Sequence, residues 1–358
     1  MKVIIAGGGT GGHLFPAVAV GEELRRERPD TAILYVGATN GLEARWLPRQ
    51  GLPHELLAVR GWTGKDPLTR LRALRDFVVA MRRARYLLRS FGADLVVGAG
   101  GYASAPVAVA AILKRVPLVL LEQNVRPGLS NRVLWRFARK ICVGFPESAT
   151  AFSAAKAAIT GNPVRFAIPP SASREHPDSI QILVLGGSTG AHRLNIGVLK
   201  AFKICRKSVI KLNVTHQTGD EDAVMVAAGY KELGLEAKVV PFINEIAPEL
   251  VAADLIVARS GAMAVAEIAL AARPAIFVPY PFHRDRQQEL NARVIERDGG
   301  ATIVFDDEHL GENLAKQLHE LTQDRPRLVA MGKAAAAAAM PNAAKQIAAI
   351  CFAEARAT

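Results

Sequence analysis

Short apolar runs alternate with longer stretches of helical periodicity along the whole chain. The apolar runs are three to five residues long, and each predicts a buried strand: 3–6, 32–36, 94–97, 118–121, 140–143, 182–185, 212–216, 238–240, 255–257, 275–278 and 302–305. Strands separated by helices are typical of βαβ units. The pattern therefore predicts parallel sheets and the α/β class.

The two halves of the chain begin alike. The segment VIIAGGGTGG at 3–12 parallels ILVLGGSTGA at 182–191, and in each an apolar strand runs into a glycine-rich loop. This repetition predicts two Rossmann-type domains in tandem, with a cleft between them.

A Gly-Asn-Pro turn ending at Pro163 and a polar stretch at 169–179 interrupt the rhythm near the middle of the chain. We therefore place the first domain at 1–163 and the second at 164–340. Beyond them, residues 341–358 contain a predicted helix, which Pro341 separates from the alanine-rich helical stretch before it.

Composition narrows the class of protein. Of 358 residues, 50% are hydrophobic and 22% charged, which indicates a globular chain rather than a disordered one. The longest apolar run, 105–113, is well short of the roughly 18 residues that a membrane span needs. The three cysteines are far apart, so we expect no disulfide framework and no structural zinc site. The first residues lead directly into a strand, and no secretory signal is expected.

The excess of positive over negative charge lies in the first half of the chain. Residues 1–165 hold 24 Lys and Arg against 11 Asp and Glu, whereas the remainder holds 21 against 22. The segment 60–89 alone has nine basic and two acidic residues. Such a patch suits nucleic acid, an anionic lipid surface or a phosphorylated substrate, and a merely solvated helix face is the plain alternative.

The first glycine-rich loop indicates a site for negative charge. Gly7, Gly9 and Gly12 satisfy the G-x-G-x-x-G pattern after a strand and before a helix. A nicotinamide-binding domain also needs an acidic residue at the end of its second strand, and the segment 35–39 has none there. The loop is therefore predicted to hold a diphosphate or a reacting centre. His13 follows it directly and is a candidate general base, with a buried structural histidine as the alternative.

Further polar side chains follow other predicted strands, where open α/β sheets bind ligands. Glu122 and Asn124 come after the fourth strand. Glu267 is the one acid of the helical stretch 262–272, and it is suited to the two hydroxyls of a ribose or to a structural salt bridge. Gln287 and Gln288 offer amide groups for sugar hydroxyls.

Taken in order, these segments resemble a known family. The motifs are GGTGGH (8–13), GGY (100–102), EQN (122–124), GNPVR (161–165), GGSTGA (186–191), RSGA (259–262) with Glu267, and DRQQ (285–288). The series resembles the MurG family, the peptidoglycan UDP-N-acetylglucosamine transferases. The resemblance implies a GT-B fold, in which two Rossmann-like domains face each other across a cleft and the C-terminal helix at 341–358 packs back on the first.

The resemblance also implies an activity and a site. It implies an inverting, metal-independent transfer of N-acetylglucosamine to the muramyl 4-hydroxyl of lipid I, giving lipid II in peptidoglycan synthesis, with no cofactor. The implied catalytic group is His13, with Glu122 and Tyr102 on the acceptor side. The implied substrate-binding residues are Thr10, Gly11, Gly12, Asn124, Arg165, Ser188, Ile243, Ala262, Met263, Ala264, Val265, Ala266, Glu267, Gln287 and Gln288.

The partners that the resemblance implies would account for the excess positive charge of the first half. Lipid I carries a pyrophosphate and lies in an anionic membrane, so we expect peripheral association with the cytoplasmic face of the bacterial plasma membrane. Arginines and apolar residues of 68–91, among them Leu74 and Leu88, are the predicted contact. Other cell-wall synthesis proteins are possible partners.

Three alternatives stay open. Another GT-B glycosyltransferase with a lipid acceptor is the nearest one. A nicotinamide-dependent oxidoreductase lacks its acidic residue, and a nucleic-acid-binding module would need more aromatic residues within 60–89.

Overall fold

The computed structural model describes residues 1–59, 67–165, 179–187, 190–205, 211–283 and 285–356; for 67, 68, 70, 71 and 356 it describes the backbone alone. The chain divides into two compact units. The first comprises Met1–Arg165 together with Pro341–Thr358, and the second is Phe166–Met340. Most of the polar stretch expected to link the domains lies outside the described residues.

The first unit is built on a seven-stranded parallel sheet in the order β3-β2-β1-β4-β5-β6-β7. Its strands are β1 (Lys2–Ala6), β2 (Ala32–Ala38), β3 (His54–Leu57), β4 (Leu95–Gly98), β5 (Leu118–Glu122), β6 (Lys140–Val143) and β7 (Ala157–Ile159). The helices are α1 (Gly11–Glu27), α2 (Glu43–Arg49), α3 (Pro67–Phe91), α4 (Ser104–Lys114), α5 (Leu129–Leu134) and α6 (Pro146–Ala149).

The second unit repeats this plan with a six-stranded parallel sheet in the order β10-β9-β8-β11-β12-β13. Its strands are β8 (Ser179–Leu185), β9 (Lys211–Gln217), β10 (Ala237–Val240), β11 (Leu255–Ala258), β12 (Ala275–Phe277) and β13 (Ala301–Ile303). The helices are α7 (His192–Ile204), α8 (Ala223–Leu233), α9 (Ile246–Ala252), α10 (Ala262–Leu270), α11 (Gln287–Glu296), α12 (Leu310–Thr322) and α13 (Arg325–Ala337).

Both sheets reverse their strand order at one point. In the first sheet β1 pairs with β2 on one side and with β4 on the other. In the second, β8 lies between β9 and β11. Ligands of open α/β sheets bind outside the carboxyl ends of the strands at such a switch point. The topology thus brings the loops after β1 and β4 together in one unit, and the loops after β8 and β11 together in the other.

The last helix, α14 (Ala343–Arg356), belongs to the first unit. Ile347, Cys351 and Phe352 are buried in the same apolar cluster as Val3 of β1 and Leu14 of α1. Burial of a large apolar side chain contributes about 1.5–3 kcal/mol, so this face favours packing of the helix on the first unit. The C-terminal segment therefore completes the core of the first unit.

All eleven predicted strands are present, with ends that differ by up to three residues. The structure adds β3 and β7, two short strands at the edges of the first sheet. Among the helices of the described residues, none combines the length and hydropathy that crossing a bilayer requires.

One detail of the predicted membrane contact is wrong. Leu88 is 3% exposed because it packs in the core beneath α3, together with Ala80 and Ala84. Among the described side chains of α3, the large apolar ones that are exposed are Leu74, Val79 and Tyr86. Residues 60–66 of the basic segment lie outside the described residues.

Candidate functional site

The glycine-rich loop after β1 is held by a carboxylate from the next βα connection. Glu43, the first residue of α2, is fully buried. Both of its oxygens accept from the Gly9 N–H at 2.9 Å, and Oε1 also accepts from the Ala38 N–H at 2.7 Å. A Cβ at Gly8 would lie 2.1 Å from this carboxylate. Glycine is therefore required there so that Glu43 can reach the loop.

His13 lies at the sheet's switch point. It is in the first turn of α1, and its ring packs against the loop after β4, where a Cβ at Gly100 would lie 2.6 Å from Cδ2. Its Nδ1 is 3.5 Å from Thr10 Oγ1. Burial among these groups lowers the pKa of His13 to about 4, although part of the residue remains accessible. The imidazole is therefore neutral near pH 7 and able to accept a proton.

Tyr102 lies against the same loop. Its ring would be 2.8 Å from a Cβ at Gly9, a residue with φ of +101°. Burial raises the pKa of the Tyr102 hydroxyl, and the Glu43 carboxylate adds to the effect. Tyr102 therefore presents a protonated hydroxyl beside the loop that ends at Thr10 and leads into Gly11 and Gly12 of α1.

Glu122 organises the loop after β5. Its Oε1 accepts from the Asn124 N–H at 3.0 Å, and its Oε2 accepts from the Gly128 N–H at 2.8 Å and from Asn131 Nδ2 at 2.9 Å. The side chain is 3% exposed, and burial raises the pKa of its carboxyl against the opposing effect of these hydrogen bonds. Both oxygens are engaged by the protein. Glu122 thus fixes the position of Asn124 rather than facing an open site.

Arg165 ends the first of the two chain segments that form the first unit, and it stacks on an aromatic pair. Its guanidinium lies 4.5 Å from the ring centre of Phe15 and 5.6 Å from that of Trp46. These two rings meet edge to face with centroids 5.7 Å apart. Phe15 is two residues from His13, so Arg165 is held near the start of α1.

In the second unit, a glutamine bridges two loops at the carboxyl edge of the sheet. Gln217 ends β9, and its Nε2 donates to the Gly187 carbonyl at 2.9 Å. Its Oε1 accepts from the Ile243 N–H at 3.1 Å. The backbone N–H of Ile243, one of the predicted substrate-binding groups, is therefore engaged by a side chain. Ser188, the next predicted residue after Gly187, lies outside the described residues.

A buried ion-pair cluster supports the loop after β11. Arg259 Nη2 donates to Asp306 Oδ2 at 2.7 Å, and Arg259 Nη1 donates to the carbonyls of Val278 and Pro279 at 3.0 and 3.2 Å. Asp306 Oδ1 accepts from Arg193 Nε at 2.6 Å. These bonds tie the loops after β11, β12 and β13 to α7, so the arginine of RSGA has a structural role.

The remaining predicted donor residues lie on α10 and α11. Gly261 caps α10, whose first turn presents the N–H groups of Ala262, Met263 and Ala264; Val265, Ala266 and Glu267 follow in the same helix. Apart from Gly261 itself and its two chain neighbours, no described residue has an atom within 4 Å of where a Cβ at Gly261 would be. The described residues therefore leave space beside Gly261 at the helix start, and Glu267 is half-buried one turn further on.

The two predicted glutamines start α11. Gln288 Oε1 accepts from the Tyr280 N–H at 2.9 Å, which leaves its Nε2 as the group for a ligand. Gln287 is half-buried beside it. Asn291, one turn later, donates to the Ser260 carbonyl at 3.3 Å, so α11 is tied to the loop before α10.

Three residues that hold the loops of the candidate site escaped the sequence-based prediction. Glu43 and Asp306 act through contacts with residues distant in sequence, and no local pattern marks them. Gln217 did carry a signal, because it is a polar residue at the carboxyl end of a parallel strand.

Comparison with known families agrees with this architecture. Residues 3–143 match the glycosyltransferase family 28 N-terminal domain, and residues 181–347 match the glycosyltransferase family 28 C-terminal domain.

Similar proteins extend the match to the whole chain. A Geobacter sulfurreducens protein named UDP-N-acetylglucosamine--N-acetylmuramyl-(pentapeptide) pyrophosphoryl-undecaprenol N-acetylglucosamine transferase is 42% identical over 352 residues, covering 97% of each chain. A Syntrophotalea carbinolica protein of the same name is 40% identical over 98% of each. The crystal structure of Acinetobacter baumannii MurG matches 98% of this chain and 99% of its own, with a TM-score of 0.80 and 29% identity. The chain therefore belongs to the MurG family of glycosyltransferases and has the two Rossmann-like domains of the GT-B fold.

Proposed function

We propose that this protein transfers N-acetylglucosamine from UDP-N-acetylglucosamine to the muramyl 4-hydroxyl of lipid I, giving lipid II. The observation that carries the proposal is the full-length similarity, at 42% identity, to a relative named for this reaction. The geometry of both units supports it. Each has a glycine-rich loop at its switch point, and the first also has a neutral histidine there.

The proposed chemistry is a single displacement with inversion. An oxygen lone pair of the muramyl 4-hydroxyl forms a bond to C1 of the sugar. The bond from C1 to the phosphate oxygen breaks, and UDP leaves with its electron pair. The hydroxyl proton passes to the neutral imidazole of His13, which is the proposed general base. With a pKa of about 4, His13 is a weak base for the ground-state alcohol, so proton transfer accompanies bond formation, when the attacking oxygen becomes acidic.

The acceptor side is assigned to the first unit. Thr10 ends the loop that Glu43 holds, Gly11 and Gly12 follow it as the first residues of α1, and the protonated hydroxyl of Tyr102 lies beside that loop. Asn124 contacts substrate in this proposal. Glu122 is a positioning residue that acts through the loop bearing Asn124, because both of its oxygens accept bonds from that loop and from Asn131.

The donor side is assigned to the second unit. Ser188 and the start of α10 would hold the diphosphate, since helix N–H groups stabilise negative charge that builds up on a leaving group. Ile243 would read the base through its backbone carbonyl, because its N–H is engaged by Gln217. Glu267 would accept from the ribose hydroxyls, and Gln287 and Gln288 would hold the sugar. Arg165 of the first unit is also proposed to contact the donor.

The identity of the base is tested with two variants. His13→Ala should lower kcat by at least about 100-fold and leave the affinity for UDP unchanged, because general-base catalysis typically contributes 10²–10⁴-fold. Asn131→Ala, which removes one support of Glu122, should lower kcat less and raise KM for the acceptor. Full activity of the His13→Ala variant would remove histidine from the mechanism.

We also propose that α3 binds an anionic membrane surface. Arg72, Arg75 and Arg82 are exposed on this helix, and exposed Leu74 and Val79 lie among them. Arg83 is partly exposed, and its pairing with Glu55 at 3.1 Å is a surface salt bridge of small energy. Basic side chains near a cytoplasmic leaflet contribute about 1 kcal/mol each. The helix thus offers electrostatic attraction together with apolar side chains that can enter the interface.

Charge reversal tests the membrane contact. A variant with Glu at 72, 75, 82 and 83 should bind vesicles that contain anionic lipid at least about 100-fold more weakly, with UDP affinity unchanged. The matched control reverses four exposed basic residues of the second unit: Lys211, Lys231, Arg327 and Lys333. Equal vesicle binding by both variants would refute the role of α3.

A further inference from the structure

Gln217 joins the two loops of the second unit that lie on either side of β9. We propose that it is a positioning residue, which fixes the distance between the diphosphate-binding and base-binding parts of the donor site. The inference rests on the proposed donor site and adds a residue that contacts no substrate itself.

The first half of the bridge fixes the glycine-rich turn after β8. Gly187 has φ of +87°, and its carbonyl accepts from Gln217 Nε2 at 2.9 Å and from the Gly190 N–H at 3.2 Å. The Gly186 N–H donates to the Gln217 main-chain carbonyl at 3.2 Å. Gln217 therefore binds this turn at two peptide groups, the Gly186 N–H through its main chain and the Gly187 carbonyl through its side chain.

The second half of the bridge fixes the segment after β10. The Thr218 N–H donates to the Val240 carbonyl, and the Gly219 N–H donates to the Pro241 carbonyl, each at 3.0 Å. The Gln217 side chain extends this pairing by accepting from the Ile243 N–H at 3.1 Å. These three hydrogen bonds hold the segment after β10 against the end of β9, up to Ile243, the residue proposed to contact the base.

The orientation of the carboxamide is determined by its partners. A carbonyl only accepts and a backbone N–H only donates, so Nε2 must face Gly187 and Oε1 must face Ile243. Gln217 is 6% exposed, and burial makes the loss of either bond costly. An amide of this length spans both loops with both of its polar atoms satisfied.

This bridge has a consequence for a ligand with two binding ends. When both ends of a site are held at the right separation, a ligand that occupies both gains more than one that occupies a single end. If the loops move independently, binding must also order them, and the entropy lost in doing so reduces the binding free energy of the ligand that occupies both ends. Loss of the bridge should therefore weaken UDP, which reaches both loops, more than UMP, which lacks the second phosphate.

The test uses Gln217→Met in the full chain, with UDP and UMP binding measured by calorimetry. Methionine keeps the volume of the side chain and removes both hydrogen bonds. We expect UDP affinity to fall about tenfold and UMP affinity much less, so that the preference for UDP shrinks. The control is Thr322→Val, which removes a buried side-chain bond of the same unit, from Thr322 Oγ1 to the Leu318 carbonyl. It should lower the melting temperature and leave both affinities unchanged.

The other possible results would each contradict either the inference or the proposed donor site. If Gln217→Met weakens UDP and UMP by the same factor, the residue has a purely structural role and the inference fails. Tighter UDP binding would show that Gln217 competes with the base for the Ile243 N–H, and would also overturn it. Failure of the unaltered protein to bind UDP would instead overturn the proposed donor site. If the methionine variant does not fold, Gln217→Asn serves in its place, because its shorter amide cannot reach both partners.

Discussion

Replacement of Glu43 by Gln tests how the loop that carries His13 is held. The carboxylate is fully buried, and its three hydrogen bonds come from only two N–H groups, those of Gly9 and Ala38. Glutamine has the same shape but only one acceptor oxygen, and its NH₂ group must occupy the place of the other. If the NH₂ takes the place of Oε2, it faces the Gly9 N–H, whose nitrogen lies 2.9 Å from that oxygen. If it takes the place of Oε1, it faces the N–H groups of both Gly9 and Ala38.

The magnitude follows from these bonds. A hydrogen bond to a charged group contributes about 1.5–3 kcal/mol and one between neutral groups about 0.5–1.5 kcal/mol. With two donors affected and full burial, Glu43→Gln should lower the free energy of unfolding by about 2–3 kcal/mol. The loop should also shift, and an error of about 1 Å in a catalytic group can cost about 100-fold in rate. We therefore expect kcat to fall at least tenfold.

Urea unfolding and steady-state transfer are the assays. UDP affinity should stay within about twofold, because the second unit holds the groups proposed to bind UDP. The control is Glu55→Gln in β3, which removes a partly exposed ion pair with Arg83 and should cost less than about 0.5 kcal/mol. Unfolding free energy and kcat equal to those of the unaltered protein would refute the account of the loop.

Two more predictions concern the histidines. Gly100→Ala should lower kcat at least about tenfold, because the added Cβ would displace the His13 ring. The control is Gly234→Ala, which adds a Cβ at a similar φ of +68° where no described atom lies within 4 Å apart from the chain neighbours. This control should lower stability and leave kcat unchanged. Equal losses of kcat in both would contradict this. Burial lowers the pKa of His216 to about 4, so the unfolded chain binds more protons below pH 6.5 and stability falls as the pH drops towards 4. The loss from this group should reach about 2 kcal/mol at pH 5, measured by urea unfolding. A His216→Gln variant with the same pH dependence would argue against it.

The sequence predicts the switch-point architecture because the responsible signals are local. Strands buried on both faces are unbroken apolar runs, and the loops after β1 and β8 are marked by glycines. The edge strands β3 and β7 are only partly buried and carry a weaker signal: β3 contains His54 and Glu55, and β7 has three residues, two of them alanine. The hydrophobic pattern therefore did not predict these two strands.

The site residues that the sequence missed depend on tertiary contacts. No acidic residue ends β2, which correctly weakens the nicotinamide interpretation, yet Glu43 lies five residues later and turns its carboxylate inward onto the loop. Glu122 is recognisable as a site residue, but its role in holding the loop is visible only when Gly128 and Asn131 are seen around it. Leu88 fits an apolar stripe equally well on either side of α3, and only the packing shows that it lies in the core.

The most direct test of the central claim is transfer of labelled N-acetylglucosamine from its UDP donor to a lipid I analogue, in the presence of EDTA. The account predicts a labelled lipid II product, formed at the same rate with and without the chelator. If the protein binds UDP-N-acetylglucosamine but modifies only other lipid acceptors, the assigned acceptor is wrong. If it neither binds the donor nor forms product, the proposed reaction is contradicted.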